Sequence, residues 1–353
     1  MATDVVELLT RLVAIDSVNP DLVAGGAGER EIAAFVASWA RENGLEAEIL
    51  EETAGRPSVL VRARGTGGGR TLLLCGHLDT VNVDGMDEPH TPRVEGDHLH
   101  GRGAYDTKAG LAAALVACRD AARESLAGDV VVAAVADEEH ASIGVQEALR
   151  AVQADAAIVT EPTELAVAVA HKGFVWAEID VTGRSAHGSR PHLGVDAIVK
   201  TGPILVALAE LDARLADREH PLLGRGSIHA AVIDGGVELS SYPARCVLGL
   251  ERRTLPGETA ADVEAELDAL LDVCRAADPE LQAERRTLLV REPFEIDASH
   301  ELVELVREAA EPDSGPPEVG GVSYWADSAL IAAAGIPTVL YGPGGEGAHA
   351  ACE

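Results

Sequence analysis

Aromatic residues are scarce: three Phe, three Trp and four Tyr make up 3% of the 353 residues. A core with so few rings must be aliphatic. Lysine is scarcer still. Lys108, Lys172 and Lys200 are all there are, and Arg supplies nearly all the positive charge. With 28 basic against 59 acidic residues the formal net charge is −31. That balance argues against nucleic acid and anionic membranes as partners, because both demand basic patches. The five cysteines (Cys75, Cys118, Cys246, Cys274, Cys352) are odd in number and include no CxxC pair, so they read as reduced thiols of a cytoplasmic protein. No apolar run approaches the roughly 18 residues of a membrane span. The opening MATDVVELLTRLVAIDS is an amphipathic helical pattern without the basic start of a signal peptide. What remains is an ordinary globular composition, 47% hydrophobic and 25% charged, on a chain long enough for two domains.

Apolar periodicity predicts helices over 4–15, 28–43, 106–124 and 145–152 and strands at SVLVRARG, RTLLLCG, DVVVAAVA and DAAIVTE. The first two of these strands flank TGGG and read as a hairpin. Strands alternating with helices imply an α/β sheet with helices on its faces. Near residue 173 the pattern changes. FVWAEIDVTG alternates like a half-buried strand. A helix over 194–215 follows, then the strands GSIHAAVIDGG and ARCVLGLERR, a helix over 258–276 and the strand AERRTLLVREP. This β-α-β-β-α-β order suggests a small α+β domain with an antiparallel sheet. After Pro293 come helices over 299–310 and 326–334, separated by the Pro/Gly loop EPDSGPPEVGG, and the strand PTVLYG. The expected organisation is a catalytic α/β domain over 1–172 and 292–353, with a smaller domain inserted at 173–291.

Polar residues collect after the strands of the larger domain. TLLLCG is followed by His77 and Asp79, VVVAAVA by Asp137, Glu138 and Glu139, AAIVT by Glu161, and PTVLYG by a Gly-rich turn and His349. Asp106 precedes the helix at 106–124. Ligands of open α/β sheets bind beyond the carboxyl ends of the strands. Alone, HLD reads as a surface turn and DEE as a solvated acidic loop. Five such features at one rim point instead to bound cations, which relieve the repulsion among three adjacent carboxylates. Two imidazoles among carboxylates suit zinc or a similar metal, and a carboxylate shared by two ions makes a two-metal hydrolytic site.

In their order, GHLDTV (76–81), GRGAYDTKAG (101–110), ADEEHASIG (136–144), VTEPT (159–163), GRSAHGSRPHLGVDAI (183–198), ERRTLPGE (251–258) and YGPGGEGAHA (341–350) cover nearly the whole chain. The chain resembles the dinuclear zinc peptidases and amidohydrolases that include acetylornithine deacetylase, succinyl-diaminopimelate desuccinylase, aminoacylase and glutamate carboxypeptidase. The resemblance implies a zinc-peptidase-like α/β catalytic domain with an inserted ferredoxin-like lid and dimerisation domain. It implies two zinc ions per chain, with cobalt or manganese as substitutes. His77, Asp106 and Glu161 would bind one ion, and Asp106, Glu139 and His349 the other, Asp106 bridging. Glu138 would be the general base and Asp79 the partner of His77. His187 would reach the active site of a neighbouring subunit in a homodimer. Arg253 would bind the substrate carboxylate, and the Gly344–Gly345 turn would contribute backbone donors. The implied reaction is hydrolysis of the amide of an N-acyl-L-amino acid, with a dipeptidase or carboxypeptidase as the alternative. An inactive relative that binds amino-acid derivatives is the rival from another class. Glu138 argues against that rival, because binding needs no base. Two departures stand out. Ser240 occupies a position where many relatives have Asn, which shortens a substrate-contacting donor. The sequence also stops just after His349, where relatives usually continue into a helix, so the second metal position is expected to be less well held.

Overall fold

The structure, a computed structural model, describes residues 2–310 and 315–353. Part of the Pro/Gly loop expected at EPDSGPPEVGG, residues 311–314, lies outside the described residues. Helices α1 (Ala2–Val13) and α2 (Arg30–Glu42) precede strands β1 (Glu46–Leu50), β2 (Ser58–Ala63) and β3 (Leu72–His77). A small hairpin, β4 (Arg93–Glu95) and β5 (His98–His100), leads to α3 (Ala109–Ala121), β6 (Val130–Val135), α4 (Ile143–Ala151), β7 (Ala156–Val159) and β8 (Val167–His171). Next come β9 (Gly173–Thr182), α5 (Ala197–Leu215), the two-residue β10 (Glu219–His220) and β11 (Gly224–Arg225), and β12 (Ser227–Gly235). They are followed by β13 (Arg245–Thr254), α6 (Ala260–Ala277), β14 (Gln282–Arg291) and β15 (Phe294–Glu295). The last elements are α7 (Glu301–Ala309), β16 (Val319–Val322), α8 (Ser328–Ala333) and β17 (Thr338–Leu340).

Two compact units result. One comprises Met1–Val169, Ile296–Gly320 and Ala326–Glu353, and the other Ala170–Glu295 with Gly321–Trp325. The divisions fall at 169/170 and 295/296, and Gly321–Trp325 groups with the second unit, a segment whose sequence gives no sign of that placement.

In the first unit the sheet order is β1-β2-β6-β3-β7-β17-β8. β3 pairs parallel with β6 and with β7, and β17 pairs parallel with β7. β3 and β6 are buried almost throughout, as parallel strands covered on both faces must be. Leu12, Val13, Ile32, Val36, Leu111 and Leu115 from α1, α2 and α3 share one aliphatic cluster with Val59, Val61, Val132 and Ala134 of the sheet. Elsewhere Leu302, Val303 and Val306 of α7 pack with Val167, Val169 and Val339.

The hairpin expected around TGGG does not form. β2 pairs antiparallel with β6, which lies between β2 and β3. The apolar run of β6 needs neighbours on both edges, and β2 and β3 supply them. The glycines serve a different contact. Thr66 and Gly67 donate to the carbonyls of Leu126 and Ala127, and a Cβ on Gly65 would lie 2.4 Å from the carbonyl oxygen of Gly128. The loop is glycine-rich because it lies flat on the segment entering β6. Strand β8 adds to the elements expected from the sequence.

The second unit has the expected β-α-β-β-α-β order, with an antiparallel sheet ordered β12-β13-β9-β14. β9 and β13 alternate buried and half-buried residues, the signature of a sheet with one face on the core. Ile179, Val181, Leu248 and Leu250 meet Ile204, Leu208 and Leu211 of α5 and Val263, Leu267 and Leu271 of α6. Thr259 and Asp262 form a capping box at the start of α6, which orders that terminus.

Candidate metal centre

The parallel strands deliver their carboxyl ends to one rim of the first unit. His77 is the last residue of β3. Asp137–Glu139 follow β6, Glu161 follows β7, and His349 follows β17 by way of the Gly344–Gly345 turn. Asp106 comes from the loop before α3, where the Asp106–Thr107 peptide is cis.

Asp106 stands at the centre of this group. Its Oδ1 lies 3.1 Å from His77 Nε2 and its Oδ2 3.3 Å from His349 Nε2. Glu161 Oε1 lies 3.8 Å from His77 Nε2, and Glu139 Oε2 lies 3.0 Å from His349 Nε2. One atom each of His77, Asp106 and Glu139 falls within 4.8 Å of the others. The His77 ring is oriented by its other nitrogen, with Nδ1 2.8 Å from the backbone oxygen of Asp79. The Asp79 carboxylate accepts the backbone N–H of Glu138 through Oδ1 at 3.1 Å and that of Glu139 through Oδ2 at 3.2 Å.

Burial and mutual repulsion dominate the electrostatics. Burial, then the neighbouring Glu161, pushes the Glu138 carboxyl well above the ordinary range. Burial raises Glu161 strongly and Glu139 less. For Asp106 burial works upward, but hydrogen bonds from His349 and His77 outweigh it and the net shift is downward. His349 is raised to about 10, first by its hydrogen bond with Asp106 and then by that with Glu139. For His77 burial works downward, yet Glu161 and Asp106 prevail and raise it well above its usual value. Four carboxylates packed around two imidazoles form a donor set that fits divalent cations, which neutralise such charge without needing protons.

Close packing sets these distances. A Cβ on Gly110, in the first turn of α3, would lie 2.0 Å from the carbonyl oxygen of Thr160, beside Glu161. The same oxygen accepts from Thr107 Oγ1 at 2.9 Å. Several supporting residues carry no local sequence signal. The buried Glu353 side chain accepts the backbone N–H groups of Tyr105 and Asp106 at 3.1 and 3.0 Å and pairs with Arg102. Glu164 accepts from the Tyr105 hydroxyl and, at 3.2 Å, from the Gly345 N–H. That N–H is therefore engaged within the protein. His349 itself remains about half exposed, its side chain at 54%.

Three residues singled out in the sequence belong to the second unit. Arg253, on β13, stacks over Phe174 with its guanidinium 5.3 Å from the ring centre, and pairs with Glu251. His187 is exposed, its Nδ1 2.8 Å from Ser189 Oγ. Ser240 is exposed and its backbone oxygen accepts from Gly188 N–H at 2.7 Å.

A rim of acids and imidazoles beyond parallel strands is the layout of a metal site, and the family match makes it that of a metal-dependent hydrolase. The chain belongs to the peptidase family M20/M25/M40, whose model matches residues 73–353. It is 31% identical over 360 residues to an acetylornithine deacetylase of Proteus mirabilis, covering 98% of this chain and 90% of the relative. Against the acetylornithine deacetylase of Photorhabdus laumondii it is 29% identical over 361 residues with the same coverage. Among solved structures, a tripeptidase from Staphylococcus aureus superposes with a TM-score of 0.80 at 21% identity, covering 99% of this chain and 92% of that one. This last likeness shows the fold.

Proposed function

We propose that the protein hydrolyses the amide bond of N-acyl-L-amino acids, such as acetylated or succinylated diamino acids, with two zinc ions per chain. The observation that supports this reading is Asp106, whose two carboxylate oxygens face separate imidazoles. One ion would be held by His77, Asp106 and Glu161, the other by Asp106, Glu139 and His349. When bound, the ions supply Lewis acidity at the amide carbonyl. Glu138 takes the proton of the attacking water and returns it to the departing amine nitrogen. Asp79 fixes the two backbone N–H groups that aim Glu138 and Glu139. Arg253 binds the substrate carboxylate, with Ser240 and the Gly344 side of the Gly344–Gly345 turn as further contacts, since the Gly345 N–H is bonded to Glu164.

The protein works as a homodimer in this reading, with His187 of one copy completing the site of the other. β12 is an edge strand of the second unit with Val232 and Ile233 exposed, and α5 exposes Val199 and Val206. An open apolar edge is a natural self-pairing surface. As for location, no helix among the described residues is long and apolar enough to cross a membrane. The cytoplasm is the proposed compartment.

The test is a hydrolysis screen of metal-loaded protein against N-acetyl amino acids, N-succinyl amino acids and dipeptides. Turnover of an acyl amino acid that is lost on chelation and restored by zinc, cobalt or manganese is expected. Cleavage of dipeptides alone would assign an exopeptidase instead. No cleavage by fully metallated protein would leave a binding protein.

A further inference from the structure

A run of buried polar groups lies behind the acids of the metal centre. Asn19 follows α1, and its Nδ2 donates to Asp79 Oδ2 at 2.8 Å and to Asp137 Oδ1 at 3.0 Å. The same Asp137 oxygen accepts from Arg56 Nη2 at 2.8 Å. Arg56 also grips Glu29 with two parallel bonds, Nε to Oε2 at 2.8 Å and Nη2 to Oε1 at 2.7 Å, and reaches Asp21. Asn19, Glu29, Asp79 and Asp137 are at most 1% exposed and Arg56 is 5% exposed. One amide thus bridges two buried carboxylates, and one guanidinium offsets part of the negative charge of Asp21, Glu29 and Asp137. Leaving such charges unpaired in a protein interior is strongly unfavourable.

The run ends on the reactive acids. Asp79 accepts the N–H groups of Glu138 and Glu139. Asp137 immediately precedes them with φ of 67°, a left-handed conformation uncommon outside glycine. Its carbonyl accepts from Ala141 and Ser142, closing the turn. The turn is therefore held twice, by Asp79 at its backbone and by Asn19 and Arg56 at the Asp137 side chain. Donor atoms of Asp21, Asp137 and His140 also approach within 4.8 Å of one another. Arg56 already bonds both of those aspartates, so the cation there is the guanidinium and a metal ion has no vacancy.

We propose that Asn19 and Arg56 are positioning residues that, acting through Asp79 and Asp137, aim Glu138 and Glu139 at the metals. The proposal rests on the metal-dependent reading given above. Groups bonded directly to metal ligands typically contribute about 10–100-fold in affinity or activity, and residues one step further out fall at the lower end of that range.

Cobalt serves as the probe, because its visible absorption spectrum reports ligand geometry without any turnover. Asn19→Asp keeps the shape and removes both donors. Asn19→Ser and Arg56→Lys are milder variants. Val303→Ala is the matched control. Val303 is buried on α7 in one cluster with Val167, Val169 and Val339, so its truncation lowers stability away from the turn. Expected for the Asn19 and Arg56 variants are an altered cobalt spectrum, cobalt affinity about 10-fold weaker, and a comparable fall in kcat with little change in KM. The control should melt earlier with its spectrum and affinity intact. An unchanged spectrum and affinity in any folded Asn19 or Arg56 variant overturns the proposal. So does a control that shifts as much for the same loss of melting temperature. If neither Asn19→Ser nor Arg56→Lys folds, the residues are merely structural and the proposal fails. Wild-type protein that binds no cobalt would instead refute the metal-dependent reading itself.

Discussion

Asp106 accepts no substitute easily, because one carboxylate must serve His77 and His349 at 3.1 and 3.3 Å. Glu138 is the sharper test of mechanism. Glu138→Gln preserves the size of the side chain and leaves Glu139, Glu161 and both histidines in place. Metal content should match wild type while kcat falls about 10²–10⁴-fold. Elemental analysis beside a progress curve reads both quantities, and wild-type turnover in a metallated variant would remove Glu138 as the base. Glu138, Glu139 and Glu161 are grouped by the sequence because each follows an apolar strand and strand ends in such sheets converge, and Asp106 because it precedes the helix at 106–124. Asn19, Arg56, Glu164 and Glu353 are not. Their bonds join positions such as 19 with 137 and 353 with 106, and a hydrogen bond across such separations leaves no periodic trace.

Among the elements, α3 is held closest to the chemistry. Gly110→Ala drives a methyl group against the carbonyl of Thr160, so α3 must retreat from β7 and take Asp106 away from Glu161. Overpacking of this kind costs about 1–3 kcal/mol. Thermal melting should show that loss together with weaker metal binding, whereas an unchanged variant would mean that the contact relaxes freely. The entrance to β6 offers a test by pH. Asp129 accepts the N–H of Gly65 at 2.9 Å and pairs with Arg62 at 3.0 Å. The Gly65 bond, then Arg62, depresses its pKa below the ordinary 3.8. A depressed folded value stabilises above the unfolded pKa, and the effect drains away as pH falls through the folded one. Asp129→Asn should therefore lower stability at pH 7, by about 1 kcal/mol or less for a pair this near the surface. The gap from wild type should close below pH 4 in denaturant titrations at stepped pH. A gap that persists there would assign the effect to packing. Period and strand length made most elements readable, and the second unit's β-α-β-β-α-β order follows from its strand and helix patterns in succession. Adjacency in sequence does not make β2 and β3 neighbours in the sheet. β6, arriving later, is apolar on both faces and has to occupy the slot between them.

At the scale of the molecule, the proposed dimer makes His187 and Glu138 separable. Chains with His187→Ala and chains with Glu138→Gln should each be nearly inactive. Mixing with subunit exchange should restore part of the activity if His187 acts across the interface, because one site of each mixed dimer is then complete. Val232→Glu, on the open edge of β12, should shift the mass in sedimentation towards the monomer. A monomeric wild type with full activity, or no recovery after proven exchange, would end the trans role. The sheet of the first unit has one more consequence, in the order of its assembly. β7 and β8 are consecutive strands, yet β17 lies between them, parallel to β7 through Thr338, Val339 and Leu340 and touching β8 at Leu340 and Ala168. As the chain leaves the ribosome, the whole of Ala170–Glu295 must emerge before that gap can close. Until then β7 and β8 present facing unpaired edges, an invitation to strands of other molecules. A late, long-range closure of this sort is slow. Substitutions in Thr338–Leu340 should therefore act on the yield of folded protein before they act on its chemistry.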